Sequence, residues 1–358
     1  MNKNSLPYFV LLALAFAVSP WVHAQSQEDQ PLEVINYRIA PGTNSLGIPL
    51  LRPAKWKGKV ASVSPVTRVV ADVDPQSSGP ILGQLPLESA YLEITASPLD
   101  PTLVGERFEV GILKTRGSLG NSGQIYLLPS VWDTRPDVPS GLVGCSYEIH
   151  PHWTLASFLG TAENAALRKG KSSAYADLVR IPLAGETWKL ESFFIHEDRG
   201  AFCWRNSSVR TGPDASATVI PPGVGVQIVI PSQGAAEKPL VLLGEARKHA
   251  FRRPLQAGRN LVALGHLAPQ SLNSILARSD YGFQPGISPD NADEILFRNH
   301  GRWEVLRYTQ DSSSASWQCL TARYGGKLED LPLLPPHQAF WINKVRPDSD
   351  FIIPPPAP

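Results

Sequence analysis

Three side chains of types that bind metals alternate along the segment from Glu148 to His152. Glu148, His150 and His152 occupy every second position, so a β-strand would project all three from one face. Imidazole and carboxylate groups arranged in this way can hold a divalent transition metal. Against that reading, Pro151 disfavours a regular strand, and no second histidine-rich cluster completes a site. The alternative is that these side chains line a solvated sheet face or pack beside Trp153, and we assign no metal ligand and no cofactor.

Two recurring aspartates, Asp177 and Asp293, could be paired catalytic carboxylates. Each precedes a strand-like run, where aspartate commonly caps a turn, so we interpret both as structural. The nucleophile pattern Gly-x-Ser-x-Gly is absent. The segment Gly170-Lys171-Ser172 is not a phosphate-binding loop, because Ala165 stands where that motif requires glycine. We therefore predict no catalytic residue and a protein that is not an enzyme.

The nine tryptophans are the other feature that could bind a ligand, since a flat indole ring can stack on a sugar. Trp188 and Trp303 alternate with charged residues such as Glu304, which predicts that both rings face a core and the charges face outward. Trp56 and Trp132 have charged neighbours and are the candidates for exposed rings. Three more lie in apolar runs and are expected to be buried: Trp204, Trp317 and Trp341.

The composition indicates a packed globular protein and excludes several classes. Hydrophobic residues are 42% and charged residues 18% of the 358 residues, which argues against disorder. The 33 Lys and Arg residues balance 32 Asp and Glu residues, so no basic field is available to hold a nucleic acid. The 34 prolines disfavour long helices, because proline breaks helix interiors.

Three cysteines, Cys145, Cys203 and Cys319, leave at least one unpaired thiol in a monomer, because their number is odd. No Cys-x-x-Cys spacing occurs, so neither a zinc ribbon nor a thiol–disulfide exchange site is indicated. We interpret the three residues as buried, unreactive thiols.

Residues 1–24 have the pattern of a secretory signal peptide. The apolar run Val10–Val18 is followed by Val22-His23-Ala24, which has the small residues of a cleavage site. This run is too short to span a bilayer, and no later stretch reaches about 20 apolar residues. We expect cleavage after Ala24 and a secreted or periplasmic protein without a transmembrane segment, whose unidentified partners are polysaccharides or proteins of the envelope or exterior.

A sequence unit occurs twice in the chain, at a separation that stays between 113 and 117 residues. Self-similarity at a fixed spacing indicates a duplicated structural unit. The matching residues are Asp177 and Asp293, Trp188 and Trp303, Trp204 and Trp317, and Ile228 and Ile342.

The first copy contains an additional segment, roughly residues 57–150. The match of Gly42 and Asn44 to Gly258 and Asn260 has a separation of 216 residues, about 100 more than the other matches. Short strand patterns within the segment predict a small β-barrel or sandwich. One hairpin turn is expected at residues 120–123. If this segment is an insert, it contacts the rest of the chain chiefly near its own two ends.

Several motifs of the chain resemble those of one family. These are PGxNxLxIPLxRPxxxxGxVASVS (Pro41–Ser64), YLEI (Tyr91–Ile94), GERFEV (Gly105–Val110) and YEIHPHWTLASFL (Tyr147–Leu159). They are similar to an uncharacterised family of secreted proteins that occurs as several paralogues per genome in Verrucomicrobia-type bacteria. The resemblance covers nearly the whole mature chain and implies no activity. The chain departs from the family's pattern at Pro336-His337, where proline–glycine is usual.

Together these patterns predict a mostly β protein of two homologous β-rich modules, each sandwich-like or barrel-like. The first module spans residues 31–230, with residues 57–150 as an inserted small β-barrel, and the second spans residues 240–353. The predicted function is that of a non-enzymatic secreted or cell-envelope structural or interaction protein of unknown ligand. The alternative is a carbohydrate-binding protein that uses exposed tryptophans.

Overall fold

The computed structural model shows a chain built almost entirely of antiparallel β-strands. It describes residues 31–73, 89–111, 124–130, 132, 135, 137–183, 185–209, 211–231, 236–271, 283–299, 302–310, 315–321, 333–353 and 355. Within these ranges the helical elements are short: α1 (Leu155–Leu159) and the 3-10 turns Pro101–Leu103 and Ser140–Leu142. The mostly β fold class is confirmed.

The strands of the described residues follow in this order. Three precede the barrel: β1 (Leu32–Ile39), β2 (Gly42–Leu46) and β3 (Leu50–Leu51). The barrel strands are β4 (Trp56–Ser64), β5 (Val69–Asp72), β6 (Ala90–Ala96), β7 (Arg107–Gly111), β8 (Gln124–Leu128) and β9 (Ser146–Pro151). After the barrel come β10 (Trp153–Thr154), β11 (Leu178–Leu183), β12 (Glu186–Asp198), β13 (Ala201–Asn206), β14 (Val219–Ile220), β15 (Val226–Ile230) and β16 (Lys238–Ala246). The last are β17 (Phe251–Leu255), β18 (Gly258–Val262), β19 (Gln270–Ser271), β20 (Glu294–Asn299), β21 (Arg302–Gln310), β22 (Ala315–Cys319), β23 (Leu333–Leu334), β24 (Phe340–Lys344) and β25 (Asp348–Ile353).

Six strands close into a barrel in the order β4-β5-β8-β7-β6-β9. Alternate residues of each strand point inward and fill the interior, as in other small barrels. The barrel has its own core, which includes Val60, Leu92, Ile94, Phe108 and Val110, with Val63 packed against it. The small β-barrel predicted within residues 57–150 is therefore confirmed. The hairpin turn expected at residues 120–123 lies outside the described residues.

Two five-stranded sheets share one strand order, β13-β12-β11-β15-β2 and β22-β21-β20-β24-β18. The edge strands β2 and β18 begin with the same side-chain bridge. Asn44 Nδ2 donates to Ala40 O at 2.7 Å, and Asn260 Nδ2 donates to Gln256 O at 2.8 Å. Each asparagine Oδ1 also accepts the backbone N–H of the same partner residue, at 3.2 and 2.9 Å. The duplication of a unit stays a prediction, and these bridges are the local structure that it leads us to expect.

Asp177 and Asp293 occupy matching positions in the two sheets and do not form a common site. Each carboxylate is buried and accepts a backbone N–H from nine residues upstream, at 2.7 and 2.8 Å. Each also pairs with a lysine: Asp177 with Lys238 at 2.8 Å and Asp293 with Lys344 at 2.6 Å. Both aspartates therefore hold a loop against a sheet, in agreement with their structural interpretation.

Trp303 faces solvent, so the prediction that it points into a core is wrong. Its side chain is 45% exposed, whereas Glu304 is 1% exposed and Leu306 is fully buried. The inward face of β21 thus carries Glu304 and Leu306, and a change of one position moves every side chain of a strand to the other face. The Glu304 carboxylate is satisfied inside the fold because it accepts a hydrogen bond from Thr321 Oγ1. Because the charged residue Glu304 lies on the inward face, the alternation of charged and apolar residues indicated the wrong face of β21 as buried.

The other tryptophans of apolar runs divide into two groups. Trp204 and Trp317 are buried, as predicted, whereas Trp341 is half-buried. The indole N–H of Trp204 donates to Gly160 O at 3.2 Å, which satisfies its polar atom within the core. The side chain of Trp188 lies outside the described part of the chain.

The barrel is joined to the rest of the chain by buried arginines, so the expectation of contacts chiefly near its two ends is wrong. Arg247 donates from Nε and Nη2 to the two carboxylate oxygens of Glu93, both at 3.0 Å. Arg107 of β7 donates to Arg252 O at 2.6 Å, and Arg252 donates from Nε to Val104 O at 2.8 Å. These contacts lie far along the sequence from the points where the barrel begins and ends.

We expect Glu93→Gln to lower the free energy of unfolding by about 3–5 kcal/mol, because it leaves the buried Arg247 without its counter-charge. The double variant Glu93→Gln/Arg247→Met should recover part of that loss. Urea unfolding followed by tryptophan fluorescence measures both. An unchanged midpoint for the single variant would show that this pair does not hold the barrel.

The same pair predicts how stability depends on pH. Burial alone would raise the pKa of Glu93, but the charges of Arg247 and His249 and their hydrogen bonds outweigh it and hold that pKa well below its usual value of 4.5. A carboxyl whose pKa is depressed on folding stabilises the protein above its unfolded pKa, and this contribution is lost as the pH falls. We expect the parent to lose its advantage over Glu93→Gln progressively below about pH 4.5. A difference that stays constant down to acid pH would contradict this.

Trp204→Ala should destabilise the protein by about 3–5 kcal/mol, the usual cost of removing a large aromatic side chain from a core. Trp303→Ala is its matched control and should change stability by less than about 1 kcal/mol, because the ring is exposed. Thermal unfolding of both variants measures the contrast, and equal losses would place Trp303 in a core.

Candidate functional site

A cleft of about 370 Å³ opens where the barrel meets the first five-stranded sheet. Its barrel side comes from β7, β8 and the loops beside them, and its other side comes from β11 and β12 of that sheet and from β14, which pairs with β10. We call it the barrel–sheet cleft and define it by its lining residues: Ser89, Glu109, Leu128, Pro129, Ser130, Trp132, His152, Ile181, Pro182, Leu183, Glu191, Thr218, Val219 and Pro221. The volume lies within the range of sites for small molecules.

The cleft is placed by the way the chain leaves the barrel. Strand β9 ends at Pro151, and β10 follows at once and pairs with β14, with Trp153 opposite Ile220. The indole N–H of Trp153 donates to Leu50 O at 2.8 Å, which fixes this crossing to β3. The segment that leaves the barrel is therefore fixed to β14 and β3 beside the cleft.

A hydrogen-bonded histidine–carboxylate pair lines the barrel side. His152 Nε2 lies 2.9 Å from Glu109 Oε2, and since a carboxylate only accepts, this nitrogen carries the proton of the bond. The imidazole is 1% exposed and packs against the Tyr91 ring at a centroid distance of 4.9 Å. Its Nδ1 has no hydrogen-bond partner among the described residues. A buried polar atom of this kind is costly unless a ligand or a water bonds to it.

A second carboxylate and an indole complete the cleft. Glu191 lies on β12 and accepts a hydrogen bond from Asn206 Nδ2, which fixes one of its oxygens. Trp132 is half-buried, and it packs against the core of the first sheet while it lines the cleft. Its backbone N–H donates to Ser130 Oγ at 3.1 Å, which holds the loop after β8. The cleft thus presents two carboxylates and one large flat apolar ring.

The structure separates the three residues of the metal-like pattern. Glu148 and His150 lie on β9, and Glu148 Oε2 is 3.0 Å from His150 Nε2. His152 comes after the last residue of β9, and its ring contacts Glu109 in the cleft instead. The alternation therefore predicted the neighbours Glu148 and His150 but not the position of His152, because the strand ends between them.

The tryptophans suggested for exposure differ in position. Trp132 lines the cleft but is half-buried, so the prediction of an exposed ring is wrong for it. Trp56 is half-buried against the barrel core, and its indole N–H lies 3.2 Å from Asp72 Oδ2 and 3.0 Å from Tyr147 Oη. The prediction that Trp56 is exposed is wrong, because its polar atom is satisfied inside the barrel strands.

The sequence did not identify Glu109 or Glu191 as site residues. Glu109 lies in a strand with an ordinary alternation, and Glu191 lies three residues after Trp188, among the charges that the alternation predicts to face outward. Both carboxylates line the cleft only because the fold brings together segments about 80 residues apart. No local pattern carries that information.

All three cysteines are free thiols in the structure. Cys145 is buried in the barrel core, as predicted, whereas Cys203 and Cys319 are only partly buried. None of the three lines the barrel–sheet cleft.

Comparison of the chain with family models, with curated protein sequences and with solved structures gives no match. The resemblance to a secreted family stays a prediction. Among the described residues, no helix has the length and apolar character needed to cross a membrane.

Proposed function

We propose that this protein is a non-enzymatic binding protein of the cell envelope or exterior and that its barrel–sheet cleft binds a carbohydrate. The observation that carries the proposal is the combination of Trp132 with the carboxylates of Glu109 and Glu191 in one cleft. Secretion rests on the signal-peptide pattern of residues 1–24.

The chemistry of a sugar matches these groups. The C–H face of a pyranose ring is apolar and flat and packs on an indole, while its hydroxyls point outward to hydrogen-bonding groups. Carboxylates accept hydrogen bonds from hydroxyls, and charge-assisted bonds of this type are the stronger ones. Small polar groups that could contact other hydroxyls are Ser89, Ser130 and Thr218.

The charge of the cleft narrows the class of sugar. Among the described residues, two carboxylates line it and no lysine or arginine does. An anionic sugar would bring like charges together in a partly buried space, which is unfavourable. We therefore propose neutral oligosaccharides as ligands and disfavour uronates.

We propose binding without turnover because each carboxylate is already engaged by a neighbouring side chain. Glu109 bonds to His152, and Glu191 accepts from Asn206. Such bonds position the carboxylates as fixed acceptors.

Isothermal titration of the mature protein with cellohexaose, chitohexaose and oligogalacturonate tests the proposal. We expect a neutral hexasaccharide to bind and oligogalacturonate not to bind. Trp132→Ala should weaken binding by about tenfold or more, the equivalent of about 1.4 kcal/mol, because the ring supplies the central apolar contact.

Trp303→Ala is the matched control, since it removes an exposed tryptophan outside the cleft, and it should bind like the parent. Chromatography of the sugars after prolonged incubation should show no shorter products. Cleavage products would overturn the non-enzymatic assignment. Failure of both neutral sugars to bind, or equal binding by Trp132→Ala, would overturn the carbohydrate site.

A further inference from the structure

A second group of potential ligands lies outside the barrel–sheet cleft, between the barrel and the sheet formed by β1, β16 and β3. It consists of Glu148 and His150 from β9 and Glu245 from β16. One ligand atom of each residue lies within 4.8 Å of the others. The sequence showed two of these residues but not the third, because Glu245 is 95 positions further along the chain than His150.

His150 is held in the orientation of a metal ligand. Its Nδ1 lies 2.8 Å from Arg52 O, and because a carbonyl only accepts, Nδ1 carries a proton. This bond directs Nε2 toward Glu148 Oε2, 3.0 Å away. The ring is fully buried and stacks on Tyr91 at a centroid distance of 5.7 Å. Metal-binding histidines are commonly oriented in this way, with the second nitrogen donating to a carbonyl or carboxylate.

Glu245 is a buried carboxylate without a cation. It is 7% exposed. Within the described residues, its carboxylate accepts one long hydrogen bond, from the backbone N–H of Ala54 at 3.4 Å. No lysine, arginine or histidine lies within ion-pair distance of it in the part of the chain that the structure describes. Burial of a carboxylate is costly unless an opposite charge compensates it.

The local charges leave room for a divalent cation. Lys57 pairs with Glu148 Oε1 at 3.0 Å and balances one of the two carboxylates. Lys57 Nζ contacts Oε1 of Glu148, whereas the other carboxylate oxygen, Oε2, contacts His150. His150 also pairs with Glu148, at Oε2, so the second negative charge, on Glu245, has no ion-pair partner among the described residues.

We propose that Glu148, His150 and Glu245 bind one divalent transition metal of the zinc class. The ligand atoms are His150 Nε2, Glu148 Oε2 and a carboxylate oxygen of Glu245, and water completes four-coordination. Nitrogen and oxygen ligands bind Zn²⁺ at about 2.0–2.2 Å, so two ligands of one ion lie roughly 3–4 Å apart. The Glu148–His150 contact already meets this requirement, and a small rotation of the Glu245 side chain brings the third ligand in. Any proton on Nε2 leaves to solvent when the metal binds.

The choice of metal follows from the donors. An imidazole suits Zn²⁺, Co²⁺, Ni²⁺ and Cu²⁺, whereas Ca²⁺ and Mg²⁺ prefer all-oxygen sites with more ligands. The metal would link barrel strand β9 to β16. Its binding to the folded state alone would therefore raise the unfolding temperature.

Titration of chelator-treated mature protein with Zn²⁺ by calorimetry tests the proposal, with Co²⁺ absorption as a second measurement. We expect one Zn²⁺ per chain, a higher unfolding temperature and the visible spectrum of four-coordinate Co²⁺, but no heat with Mg²⁺. Glu245→Gln should weaken Zn²⁺ binding by more than about tenfold, since loss of even an outer-shell partner commonly costs that much. It should fold like the parent in the absence of metal, because the amide oxygen can still accept from Ala54 N.

Glu186→Gln is the matched control, since it removes an exposed carboxylate elsewhere and should bind Zn²⁺ like the parent. Lys57→Gln removes a positive charge beside the ligands and should strengthen binding. The absence of Zn²⁺ binding to the parent would overturn the proposal, as would a Zn²⁺ affinity that Glu245→Gln leaves unchanged. If Glu245→Gln fails to fold, the Lys57→Gln variant decides: an affinity equal to or weaker than that of the parent would contradict a site at this cluster.

Discussion

The ion pair between Glu93 and Arg247 holds the barrel to the rest of the protein. Both side chains are almost completely buried, so each depends on the other for compensation of its charge. The guanidinium of Arg247 also lies over the Phe251 ring, 4.4 Å from its centroid, and that of Arg107 lies 4.8 Å from the same centroid. Phe251 of β17 therefore contacts two guanidinium groups: that of Arg107 from the barrel and that of Arg247, which pairs with Glu93. Separation of the barrel would break this buried ion pair and also the contact of His249 with Glu93.

Both candidate sites depend on that attachment, because both combine a barrel residue with a residue from outside the barrel. The cleft requires Glu109 of β7 to face Glu191 of β12, and the metal cluster requires His150 of β9 to face Glu245 of β16. Strand β9 and the residue that follows it contribute to both: His150 to the cluster and His152 to the cleft. A ligand at either site therefore contacts β9 or the residue that directly follows it.

Local patterns predicted the elements, and long-range pairing decided the sites. Proline content and two-residue alternation were sufficient for a mostly β chain and for the barrel strands, because these signals depend on near neighbours. The matching roles of Asn44 and Asn260 agree with the predicted repeat. In contrast, buried arginines such as Arg247 resemble surface charges in a sequence, since their partners lie about 150 residues away. The inward position of Glu304 was not predicted for a similar reason: its partner Thr321 belongs to the segment after β22.

The strand pairing within each five-stranded sheet, compared between the two sheets, shows why the first sheet borders the cleft and the second does not. Glu191 lies opposite Ile181, and Glu304 lies opposite Phe297, so the two glutamates occupy corresponding positions of their ladders. In the second sheet Glu304 is buried, and its carboxylate accepts a hydrogen bond from Thr321 Oγ1. In the first sheet the barrel stands beside the position and leaves a space between the two surfaces. The carboxylate of Glu191 thus becomes available to a ligand because the barrel lies next to this sheet.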